Sequence, residues 1–503
     1  MDMARTGEWL IPHYIGEIHL TKPPLVYWLQ STSISVLGHT FYAVRLPSAL
    51  SGTLAILLLF WFARRVASTR VALFAAGLYA VMPLTILPSR MTVTDSIVNL
   101  FWMAMLFAGY LRAQSPGCWR WFVALWGAAS LGILAKGPVL FIPIAIVGLW
   151  WMLIRREHGV TSSTLRFFMG FTLAMIPTLI WAYAVYLNEP NAVDIWVHET
   201  FDRAIGAGDH SRPIWFFLPV LFVGCFPASA MLLIPGVNLR WKDALTNLRT
   251  GTLEGYLGWS ILVPLVVFSL ISGKLASYIL PICAPLALLS ALMLERWFKQ
   301  SKPVMENGRR MPEVRWGICI GTLLFILGIG GVVGYTYGFD ELLWLYGLGI
   351  AFAVSVVLVL KWDNRKFRVI GMAGFIGAWI LGWAVLEELE DIAISQMSYI
   401  EVAKQTFGEP GWPGKTGVFQ LEDGIIYWDR GGDLEFFDSS DQLHERLNHL
   451  IDEPILILTN AKSWDKLIET AGDLDDCCEI VNQWYQWPGA PKRYLVVCSP
   501  TSP

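Results

Sequence analysis

Residues 119–154 read WRWFVALWGAASLGILAKGPVLFIPIAIVGLWWMLI, and the reading of this stretch decides the fold. After Arg120 its one charged residue is Lys136, and the run is long enough for two membrane crossings of about 17–25 residues each. Lys136, Gly137 and Pro138 break both the helix and the apolar run, so the stretch predicts two spans, 119–135 and 138–154, joined by a tight turn.

The rest of the chain repeats the pattern. With 55% hydrophobic residues, 25 Trp and only 15% charged residues in 503, and a mean hydropathy of +0.51, the apolar content exceeds that of a soluble core. Windows of spanning length predict ten further crossings, at 42–64, 71–88, 92–111, 165–186, 213–234, 255–271, 276–295, 314–335, 342–360 and 368–387. A net charge of −3 argues against a nucleic-acid partner. No basic segment followed by an apolar one marks a signal peptide at the start. The seven Cys have no metal-ligand spacing and say little about redox compartment.

Charge orients the spans. Alternate loops hold 21 Lys and Arg, among them Arg64, Arg65, Arg112, Arg120, Arg166 and Arg296, whereas the opposite loops hold five, Arg90, Lys136, Arg203, Arg212 and Lys274. The basic set is therefore expected in the cytoplasm. Residues 1–41 and the tail after 388 then lie outside. An outer N-terminal segment with no upstream span to deliver it predicts that one further helix precedes Met1, for thirteen spans in all. The tail carries strand-like GIIYW, PILILT and RYLVV and helix-like SWDKLIETAG. Residues 389–503 are thus expected to form a small extracytoplasmic α/β domain beside a transmembrane domain at 42–388.

Four outer segments join polar groups to aromatic or proline anchors: 20–28 (LTKPPLVYW), 88–101, 194–219 and 272–289. Each residue has a plain structural reading. Lys22 and Lys274 serve equally as headgroup snorkels. Asp95, at a helix start behind Thr92 and Thr94, is favoured by the helix dipole and is in reach of Arg90. His198 and Arg203 sit on a polar loop, His210 precedes a proline turn, and Tyr278 fits an aromatic belt. Taken together they suggest one outer cavity. Lys22, Arg203 and Lys274 bring cations to a lipid-linked phosphate, with His210 and Tyr278 beside them, and Asp95 and His198 are the available bases or metal ligands. A transporter or flippase needs polar groups at mid-membrane depth, and few appear; a non-catalytic scaffold is the other alternative.

The motifs TGEWLIPHYIGEIHLTKPPLVYWL, VRLPSALSG, RMTVTDSIVNLFWM, LAKGPV, HETFDRAI…DHSRPIWFFLPVL and KLASYILPICAPLALL resemble, in order, those of the lipid A aminoarabinose transferases and related protein mannosyltransferase-like enzymes, type C membrane glycosyltransferases. The resemblance covers residues 1 to about 295. It implies a polytopic α-helical enzyme with juxtamembrane helices in the first outer loop. Its donor would be a polyprenyl-phosphate sugar and its acceptor lipid A, another glycan or protein, at the cell inner membrane. It further implies that Lys22 and Arg203 hold the lipid phosphate, that Tyr278 lines the cavity, and that Asp95 is a functional carboxylate. His198 matches a metal-contacting histidine. The acidic partner of that histidine is replaced here by Thr21, a weak ligand, so a divalent metal is the one cofactor the pattern allows and it is poorly supported. The family's leading aspartate lies ahead of Met1, which predicts that the opening stretch is the middle of a juxtamembrane segment.

Overall fold

The computed structural model describes residues 2–14, 17–38, 40–158, 164–197, 212–231 and 251–300, together with parts of 406–499. They fall in two compact units, within 1–325 and 326–503. The expected spans at 314–335, 342–360 and 368–387 and the strand-like GIIYW lie outside the described residues.

The first unit opens with a short helix α1 (Asp2–Thr6), a small hairpin of β1 (His13–Tyr14) and β2 (Glu17–Ile18), and α2 (Leu25–Leu37). Pro23 and Pro24 admit a helix only behind them, and Gly38 at φ 83° ends α2 in a conformation that suits glycine. The segment is pinned by burial: Ile11 and fully buried Leu20 pack with Leu134, Trp181 and Val185. Indole N–H groups add two ties, Trp181 to the Leu10 carbonyl (3.0 Å) and Trp28 to that of Trp9 (2.7 Å).

Then follow α3 (Phe41–Val66), α4 (Thr69–Ala80), α5 (Pro83–Arg90), α6 (Asp95–Gln114), α7 (Trp119–Lys136), α8 (Phe141–His158), α9 (Thr164–Asn188), α10 (Phe217–Gly224), α11 (Leu253–Leu270) and α12 (Cys283–Gln300). Six segments are long and apolar enough to cross a membrane, or seven when α4 and α5 count as one bent span. The expected span at 71–88 is therefore not straight. It bends by 61° between α4 and α5, where Pro83 withholds the N–H that would carry the helix on. The expected span at 213–234 is helical over Ile214–Gly224; residues past 231 lie outside the described ones.

The decisive stretch is a hairpin. Trp119–Met152 is a single apolar run of 34 residues, which as one straight rod would extend about 51 Å against a core of about 30 Å. Contacts with α6 show that it folds back. Asp95, at the start of α6, meets Lys136 at the end of α7. Some 20 Å along α6, by its rise per residue, Gly109 lies against Val147 and accepts from the Trp151 indole at 3.2 Å. Both α7 and α8 thus flank α6, and the chain reverses at residues 137–140. Gly137 makes the reversal, at φ 72° with its N–H on the Ile133 carbonyl.

These contacts define two ends of the bundle. Lys22, Asp95 and Lys136 share one. Arg112, Glu254 with Arg296, and Ser68 with Glu295 mark the other.

The second unit holds a five-stranded sheet, β3 (Thr416–Phe419), β4 (Glu435–Phe437), β5 (Ile455–Asn460), β6 (Cys478–Tyr485) and β7 (Lys492–Cys498), in the order β4-β3-β5-β7-β6. β3 runs parallel to β4 and β5, and β7 antiparallel to β5 and β6. One helix, α13 (Ala461–Thr470), buries Trp464 and Leu467 with Ile455, Ile457 and Val496. A disulfide joins Cys478 to Cys498, which face each other across β6 and β7.

Candidate functional site

A cavity of about 590 Å³ opens at the Asp95 end of the bundle, inside the first unit. Its walls come from separate parts of the chain: Lys22 and Pro23 from the first segment, Asp95 and Trp102 from α6, Lys136, Pro138 and Ile142 from the hairpin tip, Trp181 from α9, and Tyr278 and Pro281 from the 3₁₀ turn before α12. Most of the lining is apolar or aromatic, and the charged members among the described residues are Lys22, Asp95 and Lys136. In such surroundings two cations and a carboxylate interact more strongly than in water.

Local sequence explains each placement. Burial of Leu20 two residues earlier fixes Lys22, and Pro23 faces the hairpin tip, where a Cβ added at Gly137 would stand 3.8 Å from its ring. Asp95 opens α6, where the helix N-terminus favours a carboxylate, and it is ion-paired to Lys136. Only 17% of the Lys136 side chain and 15% of that of Asp95 remain exposed. The Lys136 ammonium also stands 5.3 Å over the Tyr278 ring, a cation–π distance, and that ring packs on Phe268 at 5.6 Å. One ammonium thus touches both the carboxylate and the aromatic wall.

Of the residues singled out in the sequence, Lys22, Asp95 and Tyr278 come together here. Lys274 is buried and donates to the Arg212 carbonyl at 2.9 Å. It clamps the end of the segment that carries Arg203 and His210, and it is not in the cavity lining. His198, Arg203 and His210 lie outside the described residues. Asp95 takes Lys136 rather than Arg90 as its ion-pair partner, because the hairpin delivers Lys136 to the start of α6. Lys136 was missed as a site residue: its signal was a lone lysine inside a 34-residue apolar run, read as a breaker and as one of five outer-loop cations. Among the described residues no three of His, Cys, Asp and Glu are grouped to hold a metal. The Thr21 hydroxyl is bonded to His19 at 3.0 Å.

A multi-pass helical bundle with a charged, aromatic-walled cavity at one end, followed by a small α/β unit, is the architecture that the resemblance to type C membrane glycosyltransferases implies. Residues 21–181 match the family model of dolichyl-phosphate-mannose-protein mannosyltransferases. The chain is 29% identical over 471 residues to the undecaprenyl phosphate-alpha-4-amino-4-deoxy-L-arabinose arabinosyl transferase of Aeromonas salmonicida, covering 89% of this chain and 82% of that one. To the corresponding transferase 2 of Sodalis glossinidius it is 34% identical over 302 residues, 58% of this chain and 52% of the other. In fold it is similar to the crystal structure of ArnT from Cupriavidus metallidurans bound to undecaprenyl phosphate, with a TM-score of 0.75 at 19% identity, over 100% of this chain and 93% of that one. The chain thus resembles the lipid A aminoarabinose transferase and protein mannosyltransferase-like glycosyltransferases, as its ordered motifs indicate.

Proposed function

We propose that this protein moves a pentosyl or hexosyl group, 4-amino-4-deoxyarabinose in the first instance, from a polyprenyl phosphate to lipid A on the outer face of the inner membrane. The observation that carries this reading is the meeting of Lys22, Asp95, Lys136 and Tyr278 in one apolar-walled cavity. Relatives named for undecaprenyl-phosphate-linked aminoarabinose support the donor.

The acceptor oxygen attacks the anomeric carbon. The bond from that carbon to the donor phosphate breaks, and the phosphate leaves with the electron pair. Lys22 and Arg203 hold the departing phosphate, with Lys136 within the same cavity, so the charge is stabilised most as it develops. Asp95 orients the acceptor and takes its proton. A single displacement of this kind inverts the anomeric centre. Lys274 serves by anchoring the Arg203 segment through Arg212.

The reading assigns 1–41 to the first outer loop, 42–388 to the transmembrane domain and 389–503 to an extracytoplasmic domain. The Cys478–Cys498 disulfide supports that last side, since such bonds persist in oxidising compartments. Incubating the purified protein with undecaprenyl-phosphate aminoarabinose and lipid A should yield lipid A heavier by one sugar. Transfer by wild type that Lys22→Ala and Asp95→Asn leave undiminished would refute the site assignment. No transfer to lipid A, another glycan or a protein acceptor would refute the function.

A further inference from the structure

The end of the bundle opposite the cavity holds a second concentration of charge that the transfer reaction does not use. Arg112, in the last turn of α6, is buried. Its Nη1 donates to the Ser115 carbonyl at 3.2 Å, and its Nε has no hydrogen-bond partner. None of the ion pairs among the described residues supplies it with a carboxylate. The guanidinium lies over the Trp151 ring, 5.9 Å from its centre, and Trp151 is itself fixed to α6 through the Gly109 carbonyl. Phe167 closes the other side, edge-on to Trp151 at 5.7 Å. Its neighbour Arg166 is exposed at the start of α9 and adds a like charge that acts on Arg112.

Two arginines near one another, one of them buried without a counter-charge among the described residues, form an unfavourable arrangement that an anion relieves. The C-terminal dipole of α6 and one backbone carbonyl offset only part of the charge. Trp119 is exposed at the same end, as suits a side chain at the level of lipid headgroups. Arg64, Arg65 and Arg120 belong to the same set of loops, which the basic asymmetry assigns to the cytoplasm. Basic pockets between helices on that side suit anionic headgroups.

We propose that Arg112 and Arg166, at the junction of α6, α8 and α9, bind the phosphodiester of an anionic phospholipid in the leaflet opposite the cavity. The guanidinium planes match phosphate oxygens in paired hydrogen bonds, and Trp151 backs the site. A bound headgroup would tie the ends of α6 and α9 together at the far side from the chemistry. The proposal depends only on the chain's being a membrane protein, and it stands or falls independently of the transfer reaction.

The test uses the whole protein purified in a neutral detergent and titrated with phosphatidylglycerol, phosphatidylcholine or inorganic phosphate. Bound lipid is counted by native mass spectrometry and the unfolding temperature is followed. Phosphatidylglycerol is expected to bind and raise the unfolding temperature, with the other two giving little. Arg166→Gln, at an exposed position, is expected to fold and to weaken phosphatidylglycerol binding by about fivefold, the worth of one cation at an anionic surface. Arg112→Gln should weaken it further, and Arg112→Lys, which keeps the charge but loses the planar fork, should restore part of it. Equal binding of phosphatidylcholine, an equal effect of inorganic phosphate, or unchanged phosphatidylglycerol binding in Arg166→Gln would each overturn the assignment.

Discussion

Removing the Lys136 ammonium should expose how strongly the cavity depends on its ion pair. In Lys136→Met the Asp95 carboxylate is left facing mostly apolar walls with its ion-pair partner gone. Breaking a buried pair costs about 3–5 kcal/mol, and an exposed pair is worth about 0–1 kcal/mol. With about a sixth of each side chain exposed, the pair lies toward the buried limit, and a loss of about 2–3 kcal/mol is expected. Asp95→Asn should cost less, about 1–2 kcal/mol, because Lys136 keeps the Tyr278 ring. The double variant, with neither charge, should lose only about 1–2 kcal/mol, leaving a coupling of about 2 kcal/mol. Thermal unfolding of all four proteins in one detergent reads this out, at roughly 1–1.5 °C per kcal/mol for a unit of this size. Sugar transfer by the same four separates folding from chemistry: Asp95→Asn should lose turnover out of proportion to its stability. Losses that simply add in the double variant would refute the pairing, and with it the view that Lys136 holds Asp95 in place.

Lys22→Ala should raise KM for the lipid-linked donor, with a loss of about 2–5 kcal/mol in kcat/KM for a cation removed from a poorly solvated phosphate, measured by initial rates. Lys274→Met should instead lower stability, because the Arg212 carbonyl loses the buried Lys274 ammonium as its donor; a thermal shift with a smaller rise in KM than in Lys22→Ala would distinguish the two lysines. At Gly170 an added Cβ would stand 2.0 Å from Trp126 Nε1, whereas at Gly127 it would meet open space. Gly170→Ala should therefore destabilise the α7–α9 seam by about 1–3 kcal/mol and Gly127→Ala should not, by thermal unfolding. Reducing Cys478–Cys498, which closes a loop across a separation of 20 residues, should destabilise the C-terminal unit by about 3 kcal/mol. Limited proteolysis with and without reductant should show cleavage confined to that unit.

Sequence was most informative where one element carries its own signal. Long apolar runs announced the spans, and the Lys-Gly-Pro break announced the hairpin, since a lysine, a flexible residue and a proline together cannot continue a buried helix. The bend between α4 and α5 was hidden because a window that averages hydropathy over 71–88 does not register where a proline falls within it. Lys22, Asp95 and Tyr278 were found from the company they keep at span ends. The pairing of Asp95 with Lys136 was not, because it joins residues 41 apart through the packing of α6 on α7. The same limit hid the disulfide: Cys478 and Cys498 meet only through the register of β6 on β7. In the C-terminal unit PILILT and RYLVV stood out as buried strands, whereas β3 and β4, of four and three residues, are too short to show a period.

The cavity is built where five separate stretches end, and no two of its charged groups are neighbours in sequence. Lys22 arrives with the first segment, Asp95 two spans later and Lys136 only when the hairpin turns back. During insertion the nascent bundle therefore has no reaction centre: a donor lipid diffusing in the bilayer meets isolated charges until α6, α7 and the turn before α12 have docked. On the proposed transfer reaction, an incompletely inserted chain therefore lacks the full set of groups that would activate the donor.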